Sequence, residues 1–120
     1  MTPTIVVNCT HGREDAERAT LSFVVGNVSA TADQTTAVLL TCEGVWLGTK
    51  GYVDDVVQPG LPALREVLDS FVAAGGEIWA CGACTGPRGI TEADLVPGAR
   101  IVTAAAVVEV LAGGARTLSF

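Results

Sequence analysis

Two short runs constrain this chain more than anything else in it: TIVVN at residues 4–8 and TAVLLTC at residues 36–42. Both are rich in β-branched and aliphatic residues, and neither alternates apolar with polar. Each therefore predicts a strand covered on both faces, the kind found in parallel sheets flanked by helices. EIWA at 77–80, RIV at 100–102 and RTLS at 116–119 are shorter strand candidates. Between them the pattern changes to helical spacing. Residues 63–74 carry Leu64, Val67, Leu68, Phe71 and Val72 on one stripe, with Pro62 at the entry and Gly75-Gly76 at the exit. Residues 14–28 show similar spacing, weakened by Gly26. Residues 104–111 form a third helix, with Thr103 as N-cap. TEAD at 91–94 resembles a capping box with Asp in place of Glu.

Strands alternating with helices predict a single α/β domain over residues 1–120, a three-layer α/β/α sandwich on a mainly parallel five-stranded sheet. A chain of this length buries roughly two-thirds of its unfolded surface and needs neither disulfide nor metal to fold. The net charge is −6. That argues against nucleic acid or an anionic membrane surface as a partner, because both need a basic face. No apolar run reaches the roughly 20 residues of a membrane helix. The N-terminal run has no basic stretch before it, as a secretory signal would. The expectation is a cytoplasmic protein whose four cysteines are kept reduced, with no disulfide framework.

Ligands of open parallel sheets bind beyond the carboxyl ends of the strands. Cys9 and His11 follow the first strand, Cys42 and Glu43 the second, and Cys81, Gly82 and Cys84 the third. All four cysteines and the sole histidine thus gather at one edge. Cys81 ends a strand and opens the turn CGACTGPRG. Backbone N–H groups of such a turn can form an anion-binding concavity, and Arg88 could help to favour a thiolate there. Cys84 completes a CxxC. It could act as a resolving thiol for Cys81 or release sulfur bound to it. A zinc site would need two further ligands from Cys9, Cys42 or His11, a spacing that matches no known pattern. A thioredoxin-like reading is weaker still, because Gly86, Pro87 and Gly89 break the long helix it requires. Cys9 and Cys42 are either core residues or part of the cleft wall with Glu43. His11 could orient or deprotonate a sulfur nucleophile, or serve only as a turn residue. Nothing in the sequence calls for a bound cofactor or a dedicated metal site. Residues 44–60 are long and apolar for a loop, with Trp46, Leu47, Tyr52 and Val53. A short helix within them is expected. A lid over the cleft or a contact between copies would explain their character, as would packing back on their own domain.

These segments resemble the DsrE/DsrF-like family, which includes the TusD-like and YchN-like proteins of sulfur relay. IVVNCTHG resembles the family's opening strand and turn, EGVW its segment after the second strand, IWACGACTGPRGI its cysteine-to-Arg-Gly stretch, and GARTLSF its closing strand. The resemblance spans nearly the whole chain. It implies a three-layer fold, trimers or hexamers, and separate sulfur donor and acceptor proteins as partners. It implies too that the cysteine seven residues before the Arg-Gly arginine accepts sulfur as a persulfide. That cysteine is Cys81, counted to Arg88. Cys84 stands where TusD-like proteins have a small apolar residue, which departs from the simple carrier pattern and leaves dithiol or metal chemistry open. The reading expected here is a sulfur carrier acting through Cys81. The alternatives are a non-catalytic oligomeric module binding a small ligand or metal, and a CxxC dithiol redox protein.

Overall fold

The computed structural model describes residues 2–120. Its elements run β1 (Ile5–Cys9), α1 (Ala16–Thr31), β2 (Thr36–Leu40), α2 (Leu64–Ala73), β3 (Glu77–Cys81), α3 (Gly82–Thr85), β4 (Ala99–Val102), α4 (Ala104–Ala112) and β5 (Arg116–Ser119). The sheet order is β4-β3-β2-β1-β5, and each of its four pairings is parallel. The five strands and their order along the chain match the sequence expectation; their order across the sheet comes from the structure. The sheet is parallel throughout, not merely for the most part.

β2 is buried along its whole length, as its unbroken apolar run requires. It lies at the centre of the sheet, and successive side chains go to opposite faces. On one face Val7, Val38, Leu40, Ile78 and Ala80 meet Ala19 and Phe23 of α1 and Leu64, Leu68 and Phe71 of α2. Phe23 and Phe71 pack edge to face with centroids 5.8 Å apart, and each buried ring contributes roughly 2–3 kcal/mol of transfer free energy. On the other face Val6, Ala37, Leu39, Trp79 and Val102 are covered by α4 through Val107 and Val110. That second layer is thinner. Every residue of α4 is half-buried or exposed, and β5 is exposed along its length.

Several boundaries differ from the sequence reading for local reasons. α1 starts at Ala16, not at residue 14, because the Asp15 carboxylate caps it by accepting from the Arg18 amide. It then runs on to Thr31. β2 stops at Leu40, two residues early, because Cys42 takes a left-handed φ of +53° and leaves the ladder. Residues 44–60 begin inside a 3-10 turn, Cys42–Gly48, and fold back on their own domain. Val45, Leu47, Val53 and Val56 enter the core beneath α1 and α2, so the apolar character of this segment is accounted for largely by packing on its own domain. The Thr91–Asp94 capping box and the Thr103 cap both form. No helix among the described residues is long and apolar enough to cross a membrane.

Gly26 lowers the helix propensity of α1. It is where the helix comes closest to the sheet: a Cβ there would stand 2.9 Å from Val38 Cγ2 and 3.3 Å from the Phe71 ring. Alanine would add about 1 kcal/mol of helix propensity but overpack a fully buried contact at a cost of about 1–3 kcal/mol. Gly26→Ala is therefore expected to lower stability by about 1 kcal/mol in urea unfolding. A stabilised variant would show that α1 does not press on β2 as described.

Candidate functional site

The carboxyl edge of the sheet is built by two turns. After β2 the chain enters the Cys42–Gly48 turn, and after β3 it winds through α3 into a second 3-10 turn, Gly86–Arg88. The first turn passes tightly beneath the end of β1. A Cβ on Gly44 would lie 2.5 Å from the Cys9 carbonyl oxygen, a backbone atom that cannot move aside, so the position accepts only glycine. The Gly44 amide donates to the Thr41 carbonyl, which holds Cys42 in its left-handed conformation.

Two contacts join the two turns, and the bond from Arg88 to Cys84 braces the second turn from within. The Cys42 amide donates to Cys84 Sγ at 3.1 Å. Arg88 Nη1 donates to the Cys84 carbonyl at 3.1 Å. Arg88 Nε pairs with Glu43 Oε2 at 3.2 Å. This ion pair is partly exposed and worth at most about 1 kcal/mol, but it is bidirectional: one guanidinium grips both turns. Arg88, Glu43, Cys42 and Cys84 thus form one connected group.

Cys81 stands beside this group rather than inside it. It is the last residue of β3, opposite Val102 of β4, and it is half-buried. Alternation along β3 sends its side chain to the α4 face, since Trp79 packs there and Ala80 on the other face. On the same face and edge the Thr41 hydroxyl donates to Asn8 Oδ1, a polar pair that composition alone did not single out. The glycine turn expected to cradle an anion is wound into α3. At Gly82 a Cβ would come 3.3 Å from the Val102 carbonyl, so this glycine serves the close passage of β3 past β4. Arg88, expected to act on Cys81, is engaged by Glu43 and Cys84.

Cys9 lies in the core with 0% exposure, which removes it from any cleft wall. Its thiol donates to the His11 carbonyl at 3.3 Å. Burial pushes the Cys9 thiol above its ordinary value of 9.0, against weaker opposing bonds from Ser22 and the His11 backbone. Cys42, by contrast, is exposed, which the core reading of it did not anticipate. The His11 ring meets the Thr10 hydroxyl through Nδ1 at 3.0 Å, and among the described contacts none brings it to a cysteine sulfur. No three His, Cys, Asp and Glu side chains among the described residues converge as a metal site would require. A cavity of about 410 Å³ opens beside Arg88, walled in part by Trp46, Lys50 and Asp94. Trp46 stacks on Tyr52 with centroids 6.2 Å apart. Lys50 carries no sequence signal and Asp94 only that of a helix cap, because residues some forty positions apart meet here only through folding.

Comparison with known proteins follows the same outline. The sequence model of the DsrE/DsrF-like family matches residues 4–120. An uncharacterized protein of Methanopyrus kandleri is 36% identical over 66 residues, covering 55% of this chain and 51% of its own. An uncharacterized protein of Methanocaldococcus jannaschii is 29% identical over 99 residues, covering 82% of this chain and 36% of its own. The chain thus spans about half or less of the curated relatives it matches. Among solved structures, the YchN protein of E. coli superposes with a TM-score of 0.79 at 20% identity, over 98% of this chain and 99% of that one. A protein of unknown function from Methanobacterium thermoautotrophicum superposes with a TM-score of 0.69 at 15% identity, over 97% of each chain. At these identities the two structures show the shared fold.

The burial of Cys9 has a measurable consequence. A thiol whose folded value is raised contributes stability that is full below 9.0 and is lost as pH rises through the folded value. Urea unfolding followed from about pH 8 to about pH 10 is expected to show a steeper loss in the wild type than in Cys9→Ala. Equal slopes would mean that Cys9 ionises as freely in the fold as out of it.

Proposed function

The chain belongs to the DsrE/DsrF-like family, and from that premise we propose that it is a sulfur carrier whose acceptor is Cys81. The observation that carries the reading is the position of this residue. It ends a strand at the ligand edge of the sheet, it is half-buried rather than sealed, and it precedes Arg88 by the family's spacing. The step is a thiolate exchange. Cys81 thiolate attacks the terminal sulfur of a donor persulfide, a bond from Cys81 Sγ to that sulfur forms, the donor's S–S bond breaks, and the donor leaves as a thiolate. A second exchange hands the sulfur to an acceptor thiol and restores Cys81. The step asks nothing of His11, whose ring is held by Thr10. Arg88 and Glu43 act by keeping the two turns in register around the strand end.

A carrier of this kind works with donor and acceptor proteins, and we infer self-association as well. α4 (AAAVVEVLA) has one charged residue, Glu109, yet Val108 is 63% exposed and Leu111 37%. Leu118 on the edge strand β5 is 50% exposed. A helix apolar on nearly every side is normally buried on both. A second copy laid on α4 and β5 would supply the missing cover.

Two measurements test these readings. After incubation with a low-molecular-weight persulfide, the intact mass is expected to rise by one sulfur in the wild type and to stay unchanged in Cys81→Ser; full uptake by that variant would overturn the assignment. In sedimentation velocity the wild type is expected above monomer mass, and Val108→Lys combined with Leu118→Lys at or near it. A wild type that sediments as a monomer at every concentration would remove the self-association.

A further inference from the structure

We propose that Cys42 and Cys84 are the two thiols that close to a disulfide in this protein, in preference to the Cys81–Cys84 pair that the CxxC spacing suggests. The 3.1 Å contact from the Cys42 amide to Cys84 Sγ bounds the separation. With ordinary bond lengths the two Cα atoms lie no more than about 7 Å apart, close to the usual span of a disulfide. In any staggered rotamer the Cys42 sulfur lies roughly 3–4 Å from its own amide nitrogen, so both sulfurs border the same amide. The backbone around this contact is already held. Cys42 is fixed in its left-handed conformation by the Gly44–Thr41 bond, and Arg88 ties Glu43, the residue after Cys42, to the carbonyl of Cys84. Cys84 packs against the core on the α1 and α2 side, whereas strand alternation turns Cys81 toward α4. The CxxC neighbours therefore diverge, and the partner forty-two residues away converges.

Exposure sets the order of events. Cys42 is exposed and Cys84 half-buried. Cys42 thiolate attacks a low-molecular-weight disulfide, forming a mixed disulfide and releasing one thiolate. Cys84 thiolate then attacks Cys42 Sγ, the mixed disulfide breaks, and the second thiolate leaves. The two cysteines give up two electrons and two protons, and the small disulfide is reduced to two thiols. Closure leaves Cys81 free while occupying its neighbour, so the site becomes a redox-controlled element beside the sulfur acceptor. It stands whether or not Cys81 carries sulfur.

The experiment uses the whole chain and oxidised glutathione. Reduced protein is incubated, alkylated and digested with trypsin, which leaves Cys42 on the peptide ending at Lys50 and both Cys81 and Cys84 on the peptide ending at Arg88. The expected result is an intact mass lower by two hydrogens and a cross-link between those two peptides, with fragmentation assigning it to Cys84. The cross-link is expected to persist in Cys81→Ser and to be replaced by a glutathione adduct or free thiols in Cys42→Ser. A link within the second peptide, a link to Cys81, or no link at all overturns the proposal. Fragmentation of the wild-type cross-link decides between the sulfurs even if a variant folds poorly. Sulfur uptake reads Cys81 and this linkage reads Cys42 and Cys84, so the two proposals fail separately.

Discussion

Everything at the functional edge depends on the parallel ladder between β1 and β2 at the middle of the sheet. Ile5 pairs with Thr36 and Cys9 with Leu40, and β3 continues that row by setting Ala80 beside Leu40. Because every strand runs the same way, all their carboxyl ends open on one side, and the turns leaving them are forced together. In an antiparallel sheet the same turns would be divided between two ends. The hydrophobic face that enforces this register is continuous, so a one-residue slip would drive the whole buried set of β2 onto the wrong face.

The two layers over this sheet are unequal, and the inequality has consequences. α1 and α2, joined by the apolar segment that follows β2, make a dense layer in which Phe71 and Val38 crowd the space a side chain at position 26 would need. α4 alone covers the other face. Cys81 points toward this thinner layer, while Cys9 and Cys84 belong to the dense one. One strand-end cysteine is thereby sealed, one left half-open, and a third held by a backbone amide, although composition treats them alike.

At the site itself the organising element is a clasp between turns and not a constellation around one thiol. Arg88 grips Glu43 and the Cys84 carbonyl while the Cys42 amide meets the Cys84 sulfur. The spacing CxxC pairs Cys81 with Cys84 because neighbours in sequence are visible in sequence. The contact between Cys42 and Cys84 crosses from one strand end to the next. It depends on a left-handed residue and on a glycine at 44 that passes beneath β1, and neither announces itself in the run TCEGVW. The apolar segment 44–60 left three readings open for a related reason: four of its side chains enter the domain's own core, and no local pattern distinguishes that from a lid or a contact between copies.

By itself the sequence determined the class of fold, the order of strands and helices, the caps at Thr91 and Thr103, and the gathering of all four cysteines at one edge. These follow from hydrophobic period, turn chemistry and the polarity of parallel strands, each legible within a few residues. Tertiary structure alone decided which cysteine is buried, which face each sulfur takes, and which turn meets which. Those outcomes rest on packing and on backbone conformations, such as the +53° φ of Cys42, that residues far apart in the chain impose on one another.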